Sequence, residues 1–173
     1  WIRCAGFLVG LAVILGICDF CFAPSGYVRF ILHEVNRKDT QYDTIILGAS
    51  HARSAINPEY LDEELGTNTL NLAIPGETVK DAYYLLKDAC ESNDVKTVIM
   101  DVDYQYWMDE QPQGYFTEPF ICQNITNLKV KTEYLLDNWD TIDLRNVLVR
   151  RLSWDCTWSS VKQNVSTKMT EAY

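Results

Sequence analysis

At 173 residues the chain is long enough for one domain with a real core and too short for two large ones. Its 47% apolar and 12% aromatic content argues against a disordered chain. A formal charge of −9, with no Lys/Arg cluster interleaved with aromatics, argues against a nucleic-acid partner, because phosphate binding needs a basic face.

From Cys4 to Ala23 the sequence CAGFLVGLAVILGICDFCFA carries one charge, Asp19. Twenty helical residues span about 30 Å, the hydrocarbon thickness of a bilayer. Residues 1–23 therefore read as a transmembrane signal-anchor, the alternatives being a cleaved signal peptide and a buried core helix. Pro24 directly after Ala23 argues against cleavage there. Arg3 precedes the span while Arg29, Arg37 and Lys38 follow it, which taken literally places the bulk of the protein in the cytoplasm. That count alone does not choose the side. Cys4, Cys18 and Cys21 fall in the span as small hydrophobes, and Cys90, Cys122 and Cys156 allow at most one pair, at spacings that suggest no metal site. Asn124-Ile125-Thr126 and Asn164-Val165-Ser166 match the glycosylation sequon.

Residues 24–42 form a polar connector, helical through Tyr27–Val35. Thr44–Leu47 is a short apolar run that predicts a buried strand. Asn57 is a good N-cap and Pro58 suits the first helical position, so a helix runs from there to about Leu65 and stops at Gly66. Thr69–Leu72 predicts a second strand and Pro75-Gly76 a turn. Glu77 to about Cys90 has helical periodicity, with Val79, Ala82, Tyr83, Leu86 and Ala89 on one face. Lys96–Val102 (KTVIMDV) is a β-branched third strand. This βαβαβ order, with right-handed crossovers, predicts a parallel sheet covered by helices on both faces. An aromatic loop follows through Pro119, then two helices near Leu128–Asn138 and Thr141–Leu152, and nothing reads as a fourth strand. A doubly wound domain usually has four or five strands, so residues 43–173 read as the N-terminal portion of an α/β domain whose sheet is incomplete at the C-terminus.

In such a sheet ligands bind where the strands end, and three ends converge on one edge. The first supplies Gly48-Ala49-Ser50-His51, the second Asn71 to Thr78, the third Asp103-Tyr104-Gln105. Acyl transfer by serine needs a nucleophile on a tight turn, N–H donors for the oxyanion and a base oriented by a carboxylate. Ser50 is the candidate nucleophile, the Ser50 and Gly76 amides are candidate oxyanion donors, and the Gln105 carboxamide is a third. His51, Asn71 and Asp103 share the edge as candidate substrate contacts. Asp101 and Asp103 form a same-face pair, suited to a two-carboxylate site or to capping. Tyr104–Trp107, Tyr115 and Phe116 suit either an acyl or glycan site or a core.

These residues resemble the SGNH (GDSL-like) hydrolases and acyltransferases. The family's first block, Gly-x-Ser after the first strand, is similar to Gly48-Ala49-Ser50, and its second, Asn…Gly-Asp/Glu-Thr, to Asn71 through Thr78 with Gly76 as the oxyanion glycine. The Ser-His form resembles membrane-anchored members that act on cell-envelope polymers, such as those that transfer D-alanyl groups to lipoteichoic acid. The similarity runs from about Asp43 to Gln105. It implies a three-layer αβα sandwich of SGNH or flavodoxin-like type behind one transmembrane helix. It also implies a single-pass protein of the cell membrane with its domain on the extracellular face. The activity would be that of a serine esterase or O-acyltransferase on envelope polysaccharide or teichoic acid, with no metal or cofactor and with a membrane acyl-donor protein as a partner. Two departures stand out. The third block has Asp103-Tyr104-Gln105-Tyr106 where the family has Asn after Gly, and the sequence holds no Asp-x-x-His. Its two histidines are His33, in the connector, and His51, whose side chain diverges from that of Ser50 on a tight turn. The competing readings are a non-catalytic glycan-binding or envelope-assembly protein on a degenerate version of this scaffold, and a cytoplasm-facing interaction domain.

Overall fold

A computed structural model of the chain describes residues 1–23, 25–102, 117–142 and 156–170. Helix α1 (Ile2–Phe22) is strongly apolar, with Arg3 and Asp19 its charged residues: from Arg3 to Phe22 its mean hydropathy is 2.3 and none of that stretch is buried in the protein. By length and composition it is able to cross a bilayer. Helix α2 (Tyr27–Glu34) follows, burying Ile31 and Leu32.

Strand β1 (Thr44–Leu47) is buried at all four positions because it is the centre of a parallel sheet. It pairs with β2 (Thr69–Asn71) on one side and β3 (Thr97–Met100) on the other, giving the order β2-β1-β3 with Ile45 opposite both Leu70 and Val98. Between β1 and β2 lie α3 (Ser50–Ala55) and α4 (Pro58–Leu65). The Asn57 side chain caps α4 by accepting from the Glu59 N–H at 3.1 Å, and Gly66 ends it in the left-handed region at φ 68°. Helix α5 (Val79–Ser92) connects β2 to β3 and opens on a capping box, in which Thr78 and Asp81 satisfy each other's backbone N–H.

Alternation along β1 sends side chains to two cores. Ile45 and Leu47 join Leu72, Ile74, Leu85, Ile31, Leu32 and residues of α6 (Thr117–Asn124) and α7 (Leu128–Asp137) in the larger one. Ile46 joins Ala52, Ala73 and the partly buried Ile56, Leu61 and Ile99 in the smaller. Helices thus pack on both sheet faces. Register places Val98 and Met100 beside Ile45 and Leu47, yet both are exposed, at 42% and 38%.

Two expectations need correction, and one element was not foreseen. The inward face of α5 comprises Asp81, Ala82, Tyr84, Leu85, Asp88 and Ala89, while Val79 and Tyr83 are exposed. The face is rotated because two carboxylates are satisfied inside. Asp81 accepts from the Tyr134 hydroxyl at 2.7 Å, and Asp88 accepts from the Asn36 carboxamide and the Asn127 N–H. The loop expected to run through Pro119 instead enters α6 at Thr117, placing Pro119 in the first helical turn, where its missing N–H costs no intrahelical bond. A further helix, α8 (Trp158–Thr170), had no sequence signal strong enough to predict it. Most of the aromatic loop from Tyr104, and most of the helix expected over Thr141–Leu152, lie outside the described residues.

Helix α8 fastens the end of α1. The Asn164 carboxamide accepts from the Ser25 N–H at 3.0 Å and donates to the Cys21 carbonyl, and Lys168 donates to the Phe20 and Ala23 carbonyls. A lysine there satisfies carbonyls that a helix end leaves open and complements its dipole. Asn164, the acceptor of one sequon, is therefore 5% exposed with its side chain occupied.

Candidate active site

The turn leaving β1 is built for glycine alone. Gly48 has φ 146°, and a Cβ there would lie 2.7 Å from the Ala52 Cβ and 2.8 Å from the Asp101 Cβ. This close approach draws the start of α3 and the end of β3 together. Ala49 caps α3, Ser50 is its first residue and exposed, and the first intrahelical bond runs from the Arg53 N–H to the Ala49 carbonyl. The Ser50 N–H belongs to the first turn, whose donors have no partner within a helix. The crossovers from β1 to β2 and from β2 to β3 leave in opposite directions, so Ser50 stands at the switch point of the sheet, outside the strand ends.

The end of β2 faces it through a tight turn, Ile74-Pro75-Gly76-Glu77. Proline in second position, glycine at φ 78° in third and a 3.0 Å bond from the Glu77 N–H to the Ile74 carbonyl make it type II. The turn folds Glu77 back between the strand ends. There it is 4% exposed and accepts from the Gly48 N–H at 2.9 Å and the Ile74 N–H at 2.8 Å. Ile74 also donates to the Gly48 carbonyl at 3.1 Å. One carboxylate thereby locks the serine turn to the Gly76 turn. Glu77 was not singled out from sequence; its signal was an acidic residue directly after Pro-Gly, at the end of the apolar run Leu72-Ala73-Ile74.

Asn71 is 9% exposed and bonded into the frame. Its carboxamide donates to the Ala52 and Ile56 carbonyls at 3.0 and 3.1 Å and accepts from the Ala73 N–H at 3.2 Å, tying β2 to α3. Its carbonyl accepts from the Tyr27 hydroxyl at 3.0 Å, and the Arg53 guanidinium lies 3.8 Å from the Tyr27 ring centre. The structure thus brings together Ser50, Gly76, Glu77, Asn71, Arg53 and Tyr27 at one edge.

His51 is exposed on α3, turned about 100° from Ser50 by the helical repeat. His33 lies on α2 six residues beyond Tyr27, about 9 Å of helical rise toward the edge where the strands begin. Asn93 marks that edge by donating to the Val35 carbonyl just past α2. Asp103 and Gln105 lie outside the described residues. Among the described residues no group of three or more His, Cys, Asp and Glu is arranged to hold a metal ion.

Among the described residues the chain thus combines an α/β fold with a three-stranded parallel sheet, a serine on the glycine turn at its switch point and one helix able to cross a bilayer. Comparison with known proteins finds no matching family model, no matching curated protein and no matching solved structure.

Proposed function

We propose that the chain is a membrane-anchored, SGNH-like serine esterase or O-acyltransferase acting on cell-envelope polysaccharide or teichoic acid, with its α/β part belonging to a three-layer αβα sandwich on the extracellular face. The observation that carries the reading is the coupling of the Ser50 turn to the Gly76 turn through Glu77, at the switch point of the sheet. In this reading the Ser50 hydroxyl attacks an acyl carbonyl, its proton passes to a base, and the Ser50 and Gly76 amides hold the oxyanion. Collapse releases the donor alcohol and leaves an ester on Ser50. Water or a polymer hydroxyl then takes the acyl group, and the serine proton is returned. Gln105 would add a third donor, and His51 and Asp103 would contact substrate.

The second reading is an anchored, non-catalytic glycan-binding or envelope-assembly protein, in which the Glu77-locked edge holds a ligand without cleaving it. His51 adjoins Ser50 on the same short helix and His33 lies toward the opposite sheet edge, so the enzyme reading takes its base from elsewhere than these two residues. A fluorophosphonate probe on the membrane-bound chain separates the two. Covalent labelling that disappears in Ser50→Ala supports the enzyme; a wild-type chain that takes up no probe supports the binding protein. Protease access in intact cells reports the side on which the domain lies.

A further inference from the structure

Helix α8 presents more than the side that grips α1. On the gripping side Ser160, Val161, Asn164, Thr167 and Lys168 recur at helical spacing and are buried or half-buried. That side packs against α1 and supplies the bonds to Phe20, Cys21, Ala23 and Ser25. A separate stripe carries Trp158, Lys162, Val165 and Met169, spaced four, three and four residues apart and so within about 60° of one another. Trp158 is 73% exposed, and the Lys162 ammonium lies 5.6 Å from the centre of its ring.

The direction of α8 decides where this stripe sits. Thr167 and Thr170 line a cavity with Gly26 and Phe30, so the C-terminal end of the helix meets α2. Asn164 stands at the level of Cys21 and Ser25. On α1, Leu15, Cys18, Asp19 and Phe22 are half-buried at helical spacing, so the packed stretch reaches about 10 Å back from Phe22. The N-terminal end of α8 therefore lies back along α1, with Trp158 about 9 Å of helical rise from Asn164. With α1 in a bilayer, Trp158 falls at the surface from which the span emerges.

The chemistry of that end suits a lipid surface. Its order from the span outward is an indole first and a cation one turn, about 6 Å, later. Tryptophan favours the boundary between head groups and acyl chains, and a lysine stem carries its ammonium outward to the phosphates. Helix α8 has two lysines and no acidic residue in a chain of formal charge −9, so an anionic surface attracts it while repelling the chain as a whole.

We propose that the Trp158 end of α8 docks on an anionic lipid surface beside α1, with the indole at the head-group boundary and the Lys162 ammonium at the lipid phosphates. The clamp at Asn164 and Lys168 then holds the domain to the membrane at two points rather than one. The proposal rests on reading α1 as a retained span.

The test uses the full chain in vesicles of phosphatidylcholine and phosphatidylglycerol in equal parts, with and without bromine on the acyl chains near the glycerol. The emission of Trp158 is the difference between the wild type and Trp158→Phe. Brominated lipid should quench that difference by at least about twofold, as expected for a side chain about 5–10 Å into the interface. Lys162→Glu, at unchanged circular dichroism, should reduce the quenching in these vesicles and leave it unchanged in phosphatidylcholine alone. A difference emission that brominated lipid leaves untouched, or quenching indifferent to Lys162→Glu in the anionic vesicles, would overturn the proposal. Carbonate washing before flotation tests the span by itself. Release of the wild type overturns the span and the proposal together, whereas retention without quenching overturns the proposal alone. Absence of quenching in a chain that sediments as a dimer in detergent, and as a monomer once Trp158→Glu is made, would assign this end of α8 to a second copy of the chain instead.

Discussion

Gly48→Ala is the most direct perturbation of the serine turn. Two penalties apply to it. A side chain held at φ 146° costs about 1–3 kcal/mol in backbone strain. Contacts of 2.7 and 2.8 Å with the Cβ atoms of Ala52 and Asp101 must also be relieved by moving α3 or β3, an overpacking cost of about 1–3 kcal/mol. Together they predict a loss of about 4 kcal/mol, a large part of the roughly 5–15 kcal/mol that stabilises a typical domain. Gly66→Ala is the matched control. That residue also has positive φ, 68°, but its added Cβ meets nothing within 4 Å, so only the left-handed penalty of about 1–2 kcal/mol remains. Urea unfolding of the detergent-solubilised chain, followed by tryptophan fluorescence, reads both. The reasoning requires Gly48→Ala to lose at least 2 kcal/mol more than Gly66→Ala with an unchanged denaturant slope. Equal losses would show that the contacts of Gly48 with α3 and β3 do not constrain the turn.

Three other outcomes follow from the same geometry. Glu77→Gln keeps one acceptor for the two amides at the strand ends and turns a donor toward the other, at a cost of about 2 kcal/mol. The melting temperature should then fall by roughly 4–8 °C, and a wild-type value would refute the clamp. Asn164→Ala removes the acceptor of the Ser25 N–H, so hydrogen exchange at Ser25 should accelerate by at least about tenfold while β1 amides keep their protection. Asp43 accepts from the Asn68 N–H and the Thr44 hydroxyl, which hold its pKa below the ordinary carboxylate value. Its contribution is therefore present above the unfolded-state value of about 3.9 and is lost as pH falls through the lowered one. Asp43→Asn should flatten the acid limb of a melting-temperature profile below about pH 4, and an unchanged limb would remove Asp43 from that account.

What could be read from the sequence was whatever is decided locally. The three strands, the Asn57-Pro58 start and Gly66 stop of α4 and the Pro75-Gly76 turn each depend on residues within a few positions of one another. Less legible were polar residues whose partners lie far along the chain. Asp81 and Asp88 count as solvent-facing in a hydrophobic pattern, yet Tyr134 and Asn127, on and before α7, satisfy them inside, and the face of α5 turns accordingly. Asn71 was placed at the right edge, but its bonds to Ala52 and Ile56, 19 and 15 residues earlier, carry no sequence signature. Glu77 escaped for the same reason: the amide it reaches on Gly48 is 29 residues away. Helix α8 lacks a strong apolar stripe because its fixed points are an asparagine and a lysine that bond to carbonyls and an amide.

The bond between Ser25 and Asn164 closes a stretch of 139 residues. During synthesis at about 5–20 residues per second, the end of α1 would wait on the order of 10 s for the helix that caps it. Over that interval the Phe20, Cys21 and Ala23 carbonyls lack their α8 donors, and whatever machinery receives the apolar segment meets it uncapped. The partnership between α1 and α8 thus forms well after α1 itself has been made. A ribosome that stalls before residue 164 would leave α1 without the clamp that holds it to the domain.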